Sequence, residues 1–413
     1  MSIITNEKRI DEVLNRGVEE VIDRENLKKK LMSGKQLRIK LGIDPTSPNL
    51  HLGRSIPLLK LRDFQELGHQ IVFIIGDFTG VIGDTSDKDA ERPMLDEATI
   101  EANLQTYKDQ AGKILDIDKC EVHRNSEWLG KLTYAEIGKQ ANAFSVAEFI
   151  ARDNIRKRIE SGSRVSLREM LYPIMQGYDS VAIQSDVELG GTDQRFNLLA
   201  GRKLQEQYGQ TSQDILMNPI IEGFDGRKMS SSWGNTVNLT DEPNDMFGKI
   251  MKVGDDLIVK YFTMLTRESL DDIAEMSKAL KSGENPRDAK VKLAKAVVTM
   301  YHSAEAANVA EEYFVNTFAK KQVPDEMPEL EPKDYKLIPT LVEAGIVSST
   351  SEARRLISEG GIKVNGEKVT PLVIGTKPNG KVRFYDLEKG DLVEKIKPGD
   401  VVQKGKRFFV KII

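Results

Sequence analysis

Two short segments of the chain contain residue types that could hold the phosphates of a nucleotide. The first, residues 44–54 (DPTSPNLHLGR), places Thr46, His51 and Gly53 where a predicted strand turns into a helix. A helix N-terminus presents unpaired N–H groups and a partial positive charge, which suit a phosphate, and a glycine lets the backbone approach a ligand closely. Taken alone, the segment fits either a phosphate site or an ordinary helix cap with a packing histidine.

The second segment, residues 226–232 (GRKMSSS), is a glycine-bordered run of small residues around Lys228. Met229, Ser230 and Ser231 follow the lysine. Small side chains favour a mobile loop, and a lysine on such a loop could close over a triphosphate. By itself, the segment fits a plain surface loop as well.

A third segment has the character of a pocket lining. Tyr172, Gln176 and Asp179 in residues 171–179 (LYPIMQGYD) stand at i, i+4 and i+7, which is one face of a helix. A solvated face would be expected to carry Lys or Glu instead of this set. The segment precedes residues 190–194 (GGTDQ), which follow a predicted strand.

These segments need a scaffold, and the hydrophobic pattern predicts a parallel sheet. Residues 37–43 and 70–75 read as strands around a helix at 55–68, which is a βαβ unit with its ligand site at the carboxyl ends of the strands. The pattern predicts further elements in this order: mostly helix over 95–185, strands at 187–189 and 215–221, helix over 242–318, a linker marked by Pro324, Pro328 and Pro332, helices at 338–344 and 351–359, and a β-rich end.

Composition bounds the class of protein. A chain of 413 residues is expected to form two or three domains, and 39% hydrophobic with 30% charged residues is an ordinary globular balance. No apolar run is long enough to cross a bilayer, and the N-terminus lacks the apolar core of a signal peptide. Cys120 is the single cysteine, which excludes a disulfide framework or a multi-cysteine zinc site and fits a reducing cytoplasm.

Charge is distributed unevenly along the chain. The net charge is −4, but residues 331–413 carry 16 Lys and Arg against 11 Asp and Glu. A basic end on an acidic body fits a terminal module that binds a polyanion, and chance with a solvated face would explain it as well.

The first two segments together resemble the HIGH and KMSKS motifs of class I aminoacyl-tRNA synthetases. The pattern YPxxQxxD followed by GGTDQ is similar to the tyrosyl members and differs from the related tryptophan enzymes. Residues 338–369 (IPTLVEAGIVSSTSEARRLISEGGIKVNGEKV) resemble an S4 RNA-binding domain. The resemblance implies an α/β fold with a Rossmann-like parallel-sheet catalytic domain over 1–226, including a helical insertion at about 95–185. It also implies an α-helical domain over 227–325, a linker over 326–335, and a small α+β S4 domain over 336–413.

The resemblance also implies roles for single residues in activating tyrosine with ATP. Tyr172, Gln176 and Asp84 would hold the α-ammonium of tyrosine, Asp179 would accept its phenol hydroxyl, and Gln194 would lie beside its carboxylate. Asn125 would support Asp179. The residues expected to contact ATP are Gly42, Asp44, Thr46, His51, Gly53, Arg54, Gly191, Asp193, Lys228, Met229, Ser230 and Ser231, with Mg²⁺ accompanying ATP but no dedicated protein metal cage.

Several positions depart from the family pattern. Arg54 stands where a second histidine is usual, and Ser231 stands where a second lysine is usual. Lys88 and Arg92 are expected to supply the missing positive charge. Thr85 and Asp87 replace a usual Pro and Gly, and Lys40 or Leu41 falls where many relatives offer a tyrosine hydroxyl to the substrate phenol.

Partners and alternatives follow from the same resemblance. Arg354, Arg355 and Lys363 are expected to reach tRNA phosphates, and apolar helix faces between 130 and 180 would fit a homodimer interface. Besides a cytoplasmic tyrosyl enzyme, two hypotheses stay open: the same chemistry on another amino acid, tryptophan first, or a non-catalytic RNA-binding relative.

Overall fold

The computed structural model describes residues 3–84, 94–319, 327–371, 382–386, 391–392, 396–405 and 408–413. The chain divides into two compact units, Met1–Ala307 and Asn308–Ile413. None of the helices described is long and apolar enough to cross a membrane.

The first unit is built on a six-stranded sheet. Its strands are β1 (Glu20–Ile22), β2 (Arg38–Ile43), β3 (Gln70–Ile75), β4 (Glu121–Arg124), β5 (Val187–Gly191) and β6 (Asp214–Asn218). The spatial order is β1-β6-β5-β2-β3-β4, with β1 antiparallel to β6 and all other neighbours parallel. This confirms the predicted Rossmann-like parallel sheet.

Helices cover the sheet and extend beyond it. Those of the first unit, in chain order, are α1 (Glu7–Asn15), α2 (Arg24–Met32), α3 (Leu52–Glu66), α4 (Asp77–Ile82), α5 (Glu97–Leu104), α6 (Tyr107–Gly112), α7 (Ser126–Leu129), α8 (Tyr134–Ala141), α9 (Val146–Ile150), α10 (Asp153–Glu160), α11 (Leu167–Ile183), α12 (Arg195–Gln207), α13 (Pro243–Ile250), α14 (Ile258–Leu265), α15 (Leu270–Lys281) and α16 (Pro286–Tyr301). Helix α17 (Ala304–Phe314) runs from the first unit into the second and leads into a π-helical turn, Val315–Ala319.

The predicted βαβ unit is β2–α3–β3. In β3 every residue from Ile71 to Ile75 is buried, as a parallel strand covered on both faces requires. Gly68, with φ of 94°, reverses the chain between α3 and β3 in a backbone conformation that L side chains rarely adopt. Because β2 and β3 are parallel neighbours, the turns that follow their carboxyl ends lie at the same edge of the sheet.

Helix α11 carries the Tyr-Gln-Asp face. Ser166 and Glu169 form a capping box at its start, and Gln184 ends it in the left-handed conformation. At Gly177, an added Cβ would lie 3.0 Å from the backbone carbonyl carbon of Ala200 on α12. The two helices α11 and α12 therefore pack in close contact at this glycine.

Two strands were not predicted from the sequence. β1 lies within the charged N-terminal stretch that reads as helical, and β4 lies inside the stretch 95–185 that reads as mostly helical. β1 is only partly buried, and β4 alternates between partly buried and exposed residues at the opposite edge of the sheet. Neither strand presents the apolar run that marks a central strand.

The second unit contains a small α+β module at the end of the chain, as predicted, and its strand β7 lies within the predicted linker. Its helices are α18 (Leu337–Glu343) and α19 (Thr350–Ser358), and its strands are β7 (Glu329–Leu330), β8 (Ile362–Val364), β9 (Glu367–Pro371), β10 (Val382–Asp386), β11 (Asp391–Leu392), β12 (Val401–Lys404) and β13 (Phe408–Ile412). The strand order is β11-β10-β9-β8-β12-β13-β7. Leu341, Ile357 and Val402 are among the residues of its core.

Candidate active site

A cavity of about 760 Å³ opens at the carboxyl ends of β2, β3 and β5. It is the position at which an open parallel sheet binds its ligands. Every predicted tyrosine- or ATP-binding residue within the described ranges lines it; these residues are Gly42, Asp44, Thr46, His51, Gly53, Arg54, Asp84, Asn125, Tyr172, Gln176, Asp179, Gly191, Asp193, Gln194, Lys228, Met229, Ser230 and Ser231. Lys88 and Arg92 lie outside the described residues, as do Thr85 and Asp87.

Asp44 sits where β2 ends and joins several parts of the site. Its Oδ2 accepts a hydrogen bond of 2.8 Å from the Tyr172 hydroxyl, and its Oδ1 accepts one of 2.7 Å from Thr79. Gly76 is required next to it, because a Cβ there would collide with the Asp44 carboxylate. Burial raises the pKa of Asp44 from an ordinary 3.8 to about 6, while the two hydrogen bonds oppose that rise.

His51 precedes α3, and its side chain is buried in the wall of the cavity. A Cβ on Gly53 would lie 3.0 Å from His51 Nδ1, so this glycine leaves room for the ring. Burial lowers the pKa of His51 to about 3, and the positive charges of Arg54 and Lys228 act in the same direction. The imidazole is therefore neutral at pH 7, and its Nδ1 has no hydrogen-bond partner among the described residues.

Arg54 fixes the turn between β2 and α3. Its Nη2 donates to Thr46 Oγ1 at 2.7 Å, and its Nη1 donates to the Tyr107 hydroxyl at 2.8 Å and to the Asp44 carbonyl at 3.3 Å. The residue that replaces the usual second histidine thus organises the segment that carries Thr46. Sequence reasoning did not find Tyr107, whose role depends on a contact across 53 positions.

The GRKMSSS loop closes one side of the cavity. Lys228 Nζ lies 2.9 Å from Asp193 Oδ2, next to the end of β5. Met229 is buried, and its backbone N–H donates to the Ile221 carbonyl at 2.9 Å. These contacts place the loop beside Gly53, whose N–H lies 3.3 Å from Met229 Sδ.

Asp179 lies at the base of the pocket and is 3% exposed. Trp128 Nε1 donates to its Oδ1 at 2.8 Å, and Asn125 Nδ2 lies 3.4 Å from its Oδ2. Burial raises the pKa of Asp179 to about 7, against the positive charge of Lys40 and the two donors. Sequence reasoning included Asn125 but missed Trp128, which stands three residues further on in HRNSEW.

Lys40 and Leu41, the two residues expected near the substrate phenol, differ in their position relative to the cavity. Leu41 lines the cavity, whereas Lys40 is fully buried behind it. Lys40 Nζ donates to the Gln176 carbonyl at 2.9 Å and to Ser180 Oγ at 2.8 Å, and it pairs with Glu188 Oε1 at 2.9 Å. Gln176 in turn donates from Nε2 to Glu188 Oε1 at 3.1 Å.

The predicted RNA-binding residues belong to the second unit and lie near one helix-to-strand turn. Arg354 and Arg355 are exposed on α19, and Lys363 is partly buried in β8. Arg355 Nη1 donates to both carboxylate oxygens of Glu359 at 3.1 Å. The Arg355 guanidinium is therefore already paired with the carboxylate of Glu359, at the end of the same helix.

A parallel sheet with an HLGR turn after one strand and a KMSSS loop beside it defines the catalytic domain of a class I aminoacyl-tRNA synthetase. Residues 32–319 match the family of tRNA synthetases class I (W and Y), and residues 317–384 match the SYY-like C-terminal domain of tyrosine–tRNA ligase. The chain belongs to this family and, within it, to the tyrosine–tRNA ligases.

Relatives support this assignment, and solved structures share the fold. The tyrosine–tRNA ligase of Moorella thermoacetica is 46% identical over 408 residues, covering 97% of this chain and 94% of the relative. That of Thermotoga maritima is 45% identical over 398 residues, covering 94% and 99%. The fold resembles the tyrosyl-tRNA synthetase of Archaeoglobus fulgidus, solved with L-tyrosine, with a TM-score of 0.59, 24% identity, and coverage of 74% of this chain and 99% of that one. A truncated mitochondrial enzyme of Coccidioides posadasii gives a TM-score of 0.61 at 23% identity, covering 74% and 91%.

Members of this family catalyse a reaction in two steps. Tyrosine and ATP first form tyrosyl-adenylate and pyrophosphate, and the tyrosyl group then passes to the 3′-terminal adenosine of tRNA. Family membership thus establishes tyrosine–tRNA ligase activity for this chain.

Proposed function

We propose that the cavity at the strand ends binds tyrosine and ATP side by side and joins them. The observation that supports this proposal is the convergence on one cavity of segments that are far apart in sequence. We call Asp84, Asn125, Tyr172, Gln176 and Asp179 the tyrosine end, and His51, Gly53, Asp193, Lys228 and Met229 the nucleotide end. Asp44 lies between them, through its hydrogen bond to Tyr172.

At the tyrosine end, Asp179 accepts the phenol hydroxyl of the substrate. Trp128 holds its other carboxylate oxygen, so the carboxylate is aimed and partly satisfied before tyrosine arrives. Phenylalanine would leave this buried carboxylate without the donor that tyrosine supplies, at a cost of about 1–3 kcal/mol or more. Rejection of phenylalanine in this way is a known property of tyrosyl-tRNA synthetases as a class, so the argument is general to the family. Tyr172, Gln176 and Asp84 receive the α-ammonium, and Gln194 lies beside the carboxylate.

At the nucleotide end, neutral His51 and Thr46 donate hydrogen bonds to phosphate oxygens, and Lys228 supplies positive charge. Gly53 allows close approach of the nucleotide, while Asp193 and Gly191 meet the ribose. Gly42 and Asp44 lie near the adenosine, and Arg54, Met229, Ser230 and Ser231 complete this wall. Lys88 and Arg92 are proposed to add positive charge, and Mg²⁺ enters with ATP as part of the substrate.

The chemistry requires positioning and charge stabilisation but no protein nucleophile. The tyrosine carboxylate attacks the α-phosphorus of ATP in line, the bond to the β-phosphate oxygen breaks, and pyrophosphate leaves. Donors fixed by Arg54 and by the KMSSS loop stabilise charge as it develops, and the shared cavity holds the two reactants in register. In the second step a ribose hydroxyl of the tRNA attacks the acyl carbon and loses its proton, the bond from that carbon to the phosphate oxygen of the adenylate breaks, and AMP leaves.

Further proposals concern assembly and domains. Arg354, Arg355 and Lys363 contact tRNA phosphates, and the chain acts in the cytoplasm. A homodimer is supported by exposed apolar side chains in the helical insertion, among them Tyr134 at 92%, Leu167 at 85% and Val146 at 74% exposure. A purified chain that sediments as a monomer at micromolar concentration would contradict the dimer. The catalytic domain is proposed to end at residue 226, the α-helical domain at 325 and the linker before the S4 domain at 335.

The experiment that tests the function is ATP–pyrophosphate exchange with tyrosine, phenylalanine and tryptophan in parallel. Exchange with tyrosine alone is expected. Exchange that depends on tryptophan would indicate that the chain activates tryptophan instead. No exchange from a folded protein would indicate a non-catalytic RNA-binding relative.

A further inference from the structure

A buried ion pair joins the two central strands directly behind the tyrosine end. Lys40 of β2 and Glu188 of β5 face each other in register, and both side chains are 0% exposed. Two charges in such a place carry a large desolvation cost, and an apolar pair of similar volume would often be as stable or more stable. The position of the pair therefore points to a task other than holding the sheet together.

The Lys40–Glu188 pair forms hydrogen bonds with the turn of α11 that carries Asp179. Lys40 Nζ donates to the Gln176 carbonyl and to Ser180 Oγ, while Glu188 accepts from Gln176 Nε2 and from Ser180 Oγ at 3.0 Å. Residues 176 to 180 are thus held from both strands. Asp179 belongs to this turn, so its side chain is aimed by contacts made to its neighbours.

The pair also sets the charge around Asp179. The groups that influence Asp179 are Lys40 from β2, Glu188 from β5, Trp128 of α7, Asn125 just before α7, and Tyr172 on its own helix. Among these neighbours Lys40 is the one cation, and it favours the carboxylate form of Asp179, whereas Glu188 opposes it. Since burial favours the protonated form, the charge state of Asp179 near neutral pH depends on this neighbour.

We propose that Lys40 is a specificity-determining positioning residue: from behind the pocket it fixes the 176–180 turn and keeps Asp179 as the carboxylate that accepts the substrate phenol. A buried ammonium acting through Asp179 takes the place of a hydroxyl that would touch the phenol directly. The inference rests on the proposed role of Asp179 in tyrosine binding.

The test uses two substitutions in the same buried pair that change the charge near Asp179 in opposite directions. Lys40→Met removes the positive neighbour, and Glu188→Gln removes the negative one. The readout is the dissociation constant of tyrosine, without ATP, measured by calorimetry from pH 5.5 to 9. The acid midpoint of binding is expected to rise by about one pH unit in Lys40→Met and to fall in Glu188→Gln. At pH 7 a rise of one unit lowers the ionised fraction from about a half to about a tenth, so tyrosine should bind Lys40→Met about fivefold more weakly.

The double variant Lys40→Met/Glu188→Gln guards against a single variant that does not fold, because it leaves no unpaired charge. Its midpoint should lie above that of Glu188→Gln. Arg158→Met is the matched control, since it breaks a different buried ion pair, between Arg158 of α10 and Glu169 of α11, and should leave the midpoint in place. Midpoints that move the same way in both single variants, or not at all, would overturn the proposal.

Asp179→Ala removes the acceptor oxygens and so separates this failure from failure of the proposed site. If Asp179→Ala still prefers tyrosine to phenylalanine, then Asp179 is not the phenol acceptor and both ideas are wrong. If it loses that preference while Lys40→Met and Glu188→Gln keep the wild-type midpoint, only the role of Lys40 is rejected.

Discussion

Lys228 and Asp193 form an ion pair of 2.9 Å that ties the KMSSS loop to the end of β5. The two residues are proposed to bind different parts of ATP, the lysine its phosphates and the aspartate its ribose. Nucleotide binding would therefore exchange this pair for contacts with ATP. Because both side chains are partly exposed, at 29% and 22%, the exchange costs little electrostatic energy.

Removing the lysine should slow activation without weakening tyrosine binding. Lys228→Met is expected to lower the rate of tyrosyl-adenylate formation roughly 100-fold, the usual effect of losing one group that stabilises transition-state charge. The measurement is single-turnover adenylate formation, together with tyrosine affinity. Arg227→Met is the matched control, because Arg227 bonds to Asp225 in the same loop, and it should change the rate by less than about threefold. A parallel loss of tyrosine affinity in Lys228→Met would contradict this assignment.

Trp128 should matter for tyrosine as much as a residue in direct contact with it. Trp128→Phe removes the donor 2.8 Å from Asp179 Oδ1 and leaves that buried carboxylate with the weaker Asn125 contact. We expect tyrosine affinity to fall roughly tenfold, because hydrogen bonds to charged groups contribute about 1.5–3 kcal/mol. Trp233→Phe, the other tryptophan substitution, should leave tyrosine affinity unchanged. Unaltered affinity in Trp128→Phe would show that Asp179 is satisfied by other means.

The position of His51 could be predicted from a local pattern, because its motif follows a predicted parallel strand and such strand ends meet at one edge of a sheet. Asp179 lies on a helix and Lys228 on a loop, and their place beside the same cavity is expected from the resemblance to class I aminoacyl-tRNA synthetases. The supporting contacts could not be predicted in this way. Trp128 contacts Asp179 across 51 positions, and Lys40 is buried in an ion pair with Glu188, which lies opposite it on β5. Such pairings depend on tertiary packing, for which the sequence contains no local signal.

The buried carboxylate of Asp179 should make the protein less stable as the pH rises. Its pKa in the folded chain is about 7 against an ordinary 3.8, so between about pH 4 and 7 the folded state binds more protons than the unfolded state. Stability then falls with rising pH across this window. Asp179→Asn removes the effect, and its melting temperature relative to wild type should be roughly 2–4 °C higher at pH 8 than at pH 5, without tyrosine.

Asp225→Asn supplies the opposite case for that measurement. Asn235 and Arg227 lower the pKa of Asp225 to about 2, so its ionised form is favoured by folding, and this contribution is lost as the pH falls toward 2. Replacing Asp225 should therefore lower the melting temperature more at pH 8 than at pH 3. The same sign in both variants would show that ionisation of Asp179 is not the cause.

Arg354 should serve the second step of the reaction and leave the first unchanged. It is exposed on α19, whereas the guanidinium of neighbouring Arg355 is bonded to Glu359. The affinity that phosphate contacts contribute decreases with salt. A plot of the logarithm of the binding constant against the logarithm of the salt concentration steepens by roughly one unit of slope for each neutralised phosphate. We expect Arg354→Ala to raise the KM for tRNA roughly fivefold and to flatten its salt dependence by roughly one unit, with smaller effects from Arg355→Ala. Aminoacylation at several salt concentrations measures both, and ATP–pyrophosphate exchange without tRNA should stay at the wild-type rate. A fall in exchange in Arg354→Ala would mean that the substitution disturbs the catalytic unit, and an unchanged KM would remove Arg354 from the tRNA interface.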